Sequence, residues 1–120
     1  MLDDGTSEIG TYAVFDASGR PVRLLVINSN YYNGTGTRSS STVSFTGLAS
    51  ALGTQLQAKR MTAPSATSQI DQGAAVTIGG STSFSAQCVR TGTQATESVA
   101  VSGGTVSVSV KASEALLVFL

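Results

Sequence analysis

Acidic side chains come first among the residues that could do chemistry, because hydrolysis by a carboxylate pair needs two acids facing one cleft. The two carboxyl groups lie about 5 Å apart when hydrolysis retains the configuration at the reacting carbon and up to about 9.5 Å apart when it inverts that configuration. The acids of this chain are Asp3, Asp4, Glu8, Asp16, Asp71, Glu97 and Glu114. No motif brings two of them together, so we predict solvated surface acids and assign no catalytic residue.

The most distinctive polar segment is residues 28–33, Asn-Ser-Asn-Tyr-Tyr-Asn, which begins the longest predicted loop. Tyr31 and Tyr32 could stack on a sugar ring while the asparagines hydrogen-bond to its hydroxyls. The alternative is that both rings are half-buried anchors of the loop, or pack against a neighbouring domain. We favour the second interpretation, because one aromatic pair in a chain without tryptophan gives little area for a binding platform.

Asn33 also begins an Asn-Gly-Thr sequon for N-glycosylation, which ends at Thr35 in the same predicted surface loop. This tripeptide often arises by chance, so it matters only if the chain is secreted. Asn33 is therefore a candidate glycosylation site whose use depends on the cellular compartment.

Composition excludes several other kinds of site. The chain has no histidine and one cysteine, which excludes zinc sites and histidine-based triads, and we predict no metal and no cofactor. Cys88 is predicted to be a small core residue. Seven basic and seven acidic side chains cancel and form no basic stripe, so nucleic-acid binding is not expected. No apolar run approaches the roughly 20 residues that cross a bilayer. The Lys59-Arg60 pair indicates a salt bridge or an interface.

Short apolar or alternating runs, separated by turn-forming residues, indicate an all-β domain. Residues 22–27 are almost entirely apolar and predict a central strand, while Gly79-Gly80 and Gly103-Gly104 predict hairpin turns. Residues 48–52 are the best candidate for helix, with a turn or two at most. About eight short strands in one domain favour an antiparallel β-sandwich with Greek-key links.

The last residues have the clearest strand pattern. Residues 105–110 alternate apolar and polar, whereas residues 115–120 are apolar at every position, as is typical of a strand covered on both faces. An end this apolar is expected to be tied into a sheet, because free chain ends fray. We therefore predict one β-sandwich over residues 12–120, preceded by a flexible lead-in over residues 1–11.

Four segments together resemble the C-terminal β-domain of glycoside hydrolase family 79, which contains β-glucuronidases and heparanase-like enzymes. They are Tyr12-Ala-Val-Phe-Asp16 with Arg23-Leu-Leu-Val-Ile-Asn28, Ala58-Lys-Arg-Met-Thr-Ala-Pro-Ser65, Val76-Thr-Ile-Gly-Gly-Ser81, and the closing run from Val106 to Leu120. Met61 replaces the leucine of the family's Lys-Arg-Leu-Thr-Ala-Pro pattern. The resemblance extends from about Tyr12 to the end of the chain.

The resemblance implies a non-catalytic accessory domain that packs against and stabilises a (β/α)₈ barrel, with Tyr31 and Tyr32 as candidates to face the barrel or a sugar. In that family the two catalytic glutamates belong to the barrel, so neither maps onto this sequence, and Glu97 and Glu114 do not replace them.

The parent protein implied by the resemblance is a secreted, β-glucuronidase-like hydrolase, with a glucuronic-acid-containing glycan as a further partner. Residues 1–5 themselves lack the basic region and apolar run of a signal peptide. Two alternatives stay open: a stand-alone carbohydrate-binding module and a purely structural β-sandwich subunit.

Overall fold

The computed structural model of the protein describes residues 5–48, 52–80, 82–85 and 87–120. Ten β-strands lie in this part of the chain, with a 3₁₀ turn at Ile70–Gln72. The strands are β1 (Ile9–Phe15), β2 (Pro21–Asn28), β3 (Ser40–Phe45), β4 (Gln55–Thr62), β5 (Thr77–Ile78), β6 (Thr82–Phe84), β7 (Arg90–Thr91), β8 (Glu97–Ser102), β9 (Thr105–Lys111) and β10 (Glu114–Phe119). The all-β prediction is confirmed, and three of the ten strands, β5, β6 and β7, are only two or three residues long.

The strands form two packed antiparallel layers. The front sheet has the order β1–β2–β10–β4, and the end of β4 continues it to β5, β6 and β7. The back sheet has the order β3–β9–β8. Strand β8 belongs to both layers, because its residues 97–100 pair with β4 and its residues 101–102 pair with β9. This shared strand joins the two sheets along one side, and the predicted antiparallel sandwich is confirmed.

Strict alternation along the strands builds the core between the two sheets. Every second residue of β2, β4 and β10 points inward from the front sheet, and every second residue of β9 meets them from the back sheet. The buried apolar side chains are Leu24, Val26, Phe45, Leu56, Ala58, Val99, Val106, Val108, Val110, Leu116 and Val118. Valine dominates this set because a β-branched side chain suits a pleated surface.

The last strand, β10, lies at the centre of the front sheet. It pairs with β2 on one side and with β4 on the other, so the prediction that the chain end is tied into a sheet is confirmed. The prediction that both of its faces are covered is wrong for this chain by itself. Leu116 and Val118 are buried in the core, whereas Leu117 and Phe119 point outward and are half-exposed.

The two predicted glycine hairpins are present. Gly79 and Gly80 join β5 to β6 with φ of 66° and 69°, and Gly103 and Gly104 join β8 to β9 with φ of 55° and 70°. A Cβ atom on Gly79 would lie 2.6 Å from the backbone oxygen of Ala95. Glycine is therefore required there both for the left-handed backbone and for space.

Asp16 caps the turn between β1 and β2, as Asp side chains commonly do in turns that contain glycine. Its Oδ1 accepts hydrogen bonds from the backbone N–H of Ser18 at 2.8 Å and of Arg20 at 2.9 Å. The hydrogen bond from the Arg20 N–H is the largest influence on its carboxyl group and lowers the pKa of Asp16.

Three other predictions have different outcomes. Cys88 is exposed, so its placement in the core is wrong; it lies in the short connection between β6 and β7 with φ of 60°. Most of the candidate helix at residues 48–52 lies outside the described residues. Strand β1 begins at Ile9, which packs against the core, ahead of the predicted domain start at Tyr12.

Candidate functional site

An ion-paired cluster centred on Arg60 closes one end of the core. Arg60 lies on β4 and continues the inward-facing series to which Ala58 belongs. Its Nε and Nη2 donate to the two carboxylate oxygens of Glu97 at 3.1 and 2.7 Å, and its Nη1 donates to Glu114 Oε2 at 2.9 Å. These charge-assisted bonds join β8 and β10 to the strand between them. Of the two alternatives predicted for Lys59-Arg60, a salt bridge or an interface, the structure shows the salt bridge, and it is formed by Arg60.

Glu114 is the buried acid of this cluster, with 7% of its surface exposed. Burial alone raises the pKa of its carboxyl group, but hydrogen bonds from the Thr62 hydroxyl, the Lys111 N–H and Arg60 outweigh it and lower the pKa below the ordinary 4.5. The first two bonds are 2.8 and 3.1 Å long. Glu114 is therefore ionised at neutral pH, and the prediction that it is a solvated surface acid is wrong.

A second arginine, Arg38, ties the loop at residues 29–39 to the same end of the sandwich. Its Nε donates to the carbonyl of Ala112 at 2.6 Å and its Nη2 to the carbonyl of Ser113 at 2.9 Å. Its Nη1 lies 3.5 Å from Glu114 Oε1. The loop is thus fixed to the turn between β9 and β10 through one guanidinium group.

The structure places the two tyrosines of this loop differently. Tyr32 is half-buried: the Arg38 guanidinium lies 5.0 Å from its ring centroid, and its hydroxyl donates to the carbonyl of Gly36 at 3.2 Å. The backbone carbonyl of Tyr32 also accepts the N–H of Ala66 at 2.8 Å. Tyr31 is 70% exposed. Tyr31 is therefore the ring that this loop presents to solvent or to a partner.

Asn33 and Thr35 are both exposed on the same loop. The Oδ1 atom of Asn33 accepts hydrogen bonds from the N–H and the hydroxyl of Thr35 at 3.0 and 2.9 Å. Its Nδ2 donates no hydrogen bond to any described residue. The nitrogen that a glycan would modify thus belongs to an exposed side chain and has no hydrogen-bond partner among the described residues.

The outer surface of the front sheet, which we refer to as the front face, is apolar. Cross-strand register arranges its outward side chains in rows. One row is Ile27, Ala115, Met61 and Ile78, and the next is Tyr12, Leu25, Leu117 and Lys59. Seven of these residues border a shallow depression of about 280 Å³. Met61 remains 47% exposed and Ile27 36% exposed, so this face lacks a cover in the chain by itself.

The outer surface of the back sheet, the back face, has the opposite character. The outward residues of β3 and β9 are Ser40, Thr42, Ser44, Thr105, Ser107, Ser109 and Lys111. Hydroxyl pairs bridge the strands between Ser40 and Ser109 at 2.6 Å and between Ser44 and Ser107 at 2.8 Å. An antiparallel sheet that faces water carries such polar residues. Solvent therefore suits the back face, and an apolar partner suits the front face.

The acids that come together among the described residues are engaged by arginines. Glu97 and Glu114 come together, contrary to expectation, but both oxygens of Glu97 and one of Glu114 are bonded to Arg60, and Arg38 lies 3.5 Å from the other oxygen of Glu114, so two cations balance the two carboxylates. Within the described ranges, no three of His, Cys, Asp and Glu are grouped so that they could hold a metal ion. The same residues include no helix that is long and apolar enough to span a membrane.

Sequence reasoning missed two features of this end of the sandwich, the burial of the Arg60–Glu114 ion pair and the contacts of Arg38, and the strand pattern carries a signal only for the first. The alternate residues of β4 that face the core are Leu56, Ala58 and Arg60. Those of β10 are Val118, Leu116 and Glu114. Opposite charges at core-facing positions of two apolar strands predict a buried ion pair. No comparable signal identifies Arg38, because it lies in a loop.

The fold and its two unlike faces define a two-layer β-sandwich domain with one apolar and one polar outer surface. Comparison with known families finds a match over residues 11–117 to the glycosyl hydrolase family 79 C-terminal beta domain. This chain belongs to that family, as the four resembling segments implied.

Among solved structures, the chain is similar to the 4-O-α-L-rhamnosyl-β-D-glucuronidase from Fusarium oxysporum 12S, determined as its Rha-GlcA complex. The sequence identity is 41%, the TM-score is 0.89, and the match covers 99% of this chain. The chain spans only 25% of the length of that enzyme. The comparison with curated proteins gives no match.

Proposed function

We propose that this chain is the accessory domain of a β-glucuronidase-like glycoside hydrolase and that it docks through its front face onto the catalytic (β/α)₈ barrel of the same protein. The observation that carries the proposal is the contrast between the apolar front face and the hydroxyl-covered back face. The relative from Fusarium supports it, because three quarters of that chain lie outside the matching region and supply a candidate partner.

Burial of the front face against a partner contributes enough free energy for a structural role. A contact that removes about 400 Å² of apolar front-face surface from water contributes about 10 kcal/mol before ordering costs, at about 25 cal/mol per Å². Apolar patches of a few hundred Å² are about the largest that monomeric proteins expose, and they often mark an interaction site. The domain then stabilises the barrel, and the hydrolysis of glucuronides takes place at residues outside this chain.

The test is co-expression of this chain with the Fusarium enzyme from which the matching quarter has been deleted. We expect the two pieces to purify together, and we expect the chain by itself to release no product from an aryl glucuronide. Leu117→Asp, which places a charge in the middle of the front face, should abolish co-purification. Ser107→Asp is the matched control, because it adds the same charge to the back face.

Equal recovery of the Leu117→Asp and Ser107→Asp variants would contradict the docking proposal. Turnover of the glucuronide by the purified 120-residue chain would contradict the accessory role. The urea midpoints of both variants, measured on the chain alone, show whether either change has damaged the fold itself.

We further propose that the parent enzyme is secreted and that Asn33 carries an N-glycan. The support is the exposed sequon, in which the Oδ1 of Asn33 accepts hydrogen bonds from Thr35. Secretion of the chain from a fungal host should give a mass that falls on treatment with an endoglycosidase. Asn33→Gln and Thr35→Ala should each remove that difference, while Asn30→Gln should not; an unmodified wild-type chain contradicts the proposal.

A second candidate function is saccharide contact through Tyr31, favoured by its 70% exposure on a loop that Arg38 holds in place. Calorimetry of the chain with glucuronic-acid-containing oligosaccharides tests it. Binding heat that disappears in Tyr31→Ala and persists in Tyr12→Phe supports a carbohydrate-binding module. Absence of heat with the wild-type chain excludes it.

A further inference from the structure

One corner of the front face combines an aromatic ring with two positive charges. Arg23 Cζ lies 5.7 Å and Lys59 Nζ 5.8 Å from the centroid of the Phe119 ring. Arg23 is on β2 and Lys59 on β4, the strands that flank β10 on either side, so the two cations reach the ring from opposite directions. We refer to Arg23, Lys59 and Phe119 as the cationic corner.

Among the described residues, no acidic side chain supplies a counter-charge to the cationic corner. None of the outward-facing residues on β1, β2, β4, β5 and β10 is acidic, since Glu114 points into the core. Neither Arg23 nor Lys59 forms an ion pair with a described residue. The Lys59 ammonium donates instead to the neutral side chain of Gln94, at 2.7 Å from its Oε1.

Covering this corner with a purely apolar partner would be unfavourable. A cation–π contact contributes about 0.5–1 kcal/mol at an exposed site and about 2 kcal/mol when it is desolvated. Removing an ammonium or guanidinium group from water without a counter-charge costs more than that. The two cations also repel each other, and this repulsion grows as water leaves. A partner that covers the front face therefore needs an anionic group opposite the corner.

We propose that the protein surface docked on the front face places a carboxylate side chain over the cationic corner, where it accepts hydrogen bonds from Arg23 and Lys59. This inference rests on the docking proposed above. In the docked complex, the apolar rows around Leu117 supply most of the affinity, while the cationic corner fixes the orientation of the partner. The partner surface is thus apolar with at least one Asp or Glu at its edge.

The experiment uses this chain assembled with the Fusarium enzyme that lacks its matching quarter. Carbodiimide treatment joins an amine to a carboxylate in direct contact, and peptide mass spectrometry identifies the joined pair. We expect a cross-link from Lys59 to an Asp or Glu of the larger piece. Lys111, exposed on the back face, is the matched amine that should give none.

Affinity measurements give a second readout. We expect Arg23→Glu combined with Lys59→Glu to weaken association at least tenfold at 50 mM salt. Wild-type affinity should fall between 50 and 500 mM salt, and that dependence should largely disappear in Arg23→Met with Lys59→Met, because screening acts on charges. Lys111→Glu should leave the affinity unchanged.

The possible results separate the two proposals. If Leu117→Asp prevents association but the double glutamate variant and the cross-linking show no effect, docking stands and the carboxylate proposal is overturned. If neither the Leu117 nor the corner variants weaken association, both are overturned. If heparin protects Lys59 from acetylation in the chain alone and no cross-link to the larger piece forms, the corner binds an acidic glycan, and the proposal is again overturned.

Discussion

Replacement of Arg60 by alanine is the sharpest test of how this sandwich is held closed at one end. The substitution removes three hydrogen bonds of 3.1, 2.7 and 2.9 Å and leaves Glu97 and Glu114 facing each other without their shared cation. Truncating one partner of a buried ion pair costs about 3–5 kcal/mol. The part of that cost due to Glu97 is smaller, because its side chain is 40% exposed and an exposed pair contributes only about 0–1 kcal/mol.

The cost is also reduced because Glu114 keeps the Thr62 hydroxyl, the Lys111 N–H and Arg38 at 3.5 Å. We therefore expect Arg60→Ala to lower the free energy of unfolding by about 2–4 kcal/mol. A 120-residue domain has a total stability of about 6–18 kcal/mol, so this is a large fraction.

The assay is urea unfolding of the chain, followed by circular dichroism. With a slope of about 2 kcal/mol per M, the midpoint should fall by about 1–2 M. Lys111→Ala removes an exposed positive charge from the back face and is the matched control, expected to change stability by less than about 0.5 kcal/mol. A double-mutant cycle with Glu114→Gln should show a coupling of about 1–2 kcal/mol between the two side chains. A midpoint shift below about 0.3 M for Arg60→Ala, or no coupling, would refute the assignment of Arg60 as the tie between β8 and β10.

Three further predictions concern the same fold. The pKa of Glu114 is lowered in the folded state, so its stabilising contribution is complete above the unfolded pKa near 4.5 and is lost as the pH falls through the lower folded value. The difference in urea midpoint between wild type and Glu114→Gln should therefore be constant from pH 7 to 5 and shrink below pH 5. A constant difference down to pH 2 would contradict the ionised state of Glu114. Asn28 is buried and its Nδ2 donates to the carbonyl of Val110 at 2.9 Å. Asn28→Ala should therefore lower the free energy of unfolding by about 1–3 kcal/mol in urea, whereas Asn33→Ala, at an exposed position, should change it very little. Equal losses in the two variants would count against a stabilising role of the buried hydrogen bond. Gly79→Ala should lower the free energy of unfolding by about 1 kcal/mol more than Gly19→Ala does. Both glycines have positive φ, but only a Cβ at position 79 meets a backbone atom, at 2.6 Å from Ala95 O. If the two variants melt at the same temperature, the turn at Gly79 relaxes and this reasoning is wrong.

The strands were predictable because each carries its own alternation. In β9, Val106, Val108 and Val110 face the core while Ser107 and Ser109 face water, and the sequence alone shows this. In β10, every position is apolar, so the pattern could show that the strand lies inside a sheet but not which face the core covers. The structure shows which face the core covers: Leu116 and Val118 are buried, and Leu117 lies on the opposite, outer face.

The candidate site was less accessible to sequence reasoning because its members are distant along the chain. Arg38 contacts Glu114 across 76 positions, and no local pattern encodes which loop crosses which end of the sandwich. The cationic corner likewise exists only through cross-strand register, which places Arg23 beside Phe119. The resemblance to the family identified the domain, but neither the ion-pair geometry nor the apolar front face follows from it.

The most direct test of docking through the front face is the oxidation rate of Met61, whose side chain lies in the middle of a front-face row and is 47% exposed. Peroxide oxidation is followed by mass spectrometry in the chain alone and in its complex with the larger Fusarium piece, with acetylation of Lys111 as the back-face reference. Docking predicts that Met61 oxidation slows at least fivefold in the complex while Lys111 reacts at the same rate. Equal Met61 oxidation in the two samples, in a complex that stays assembled, would contradict the central claim.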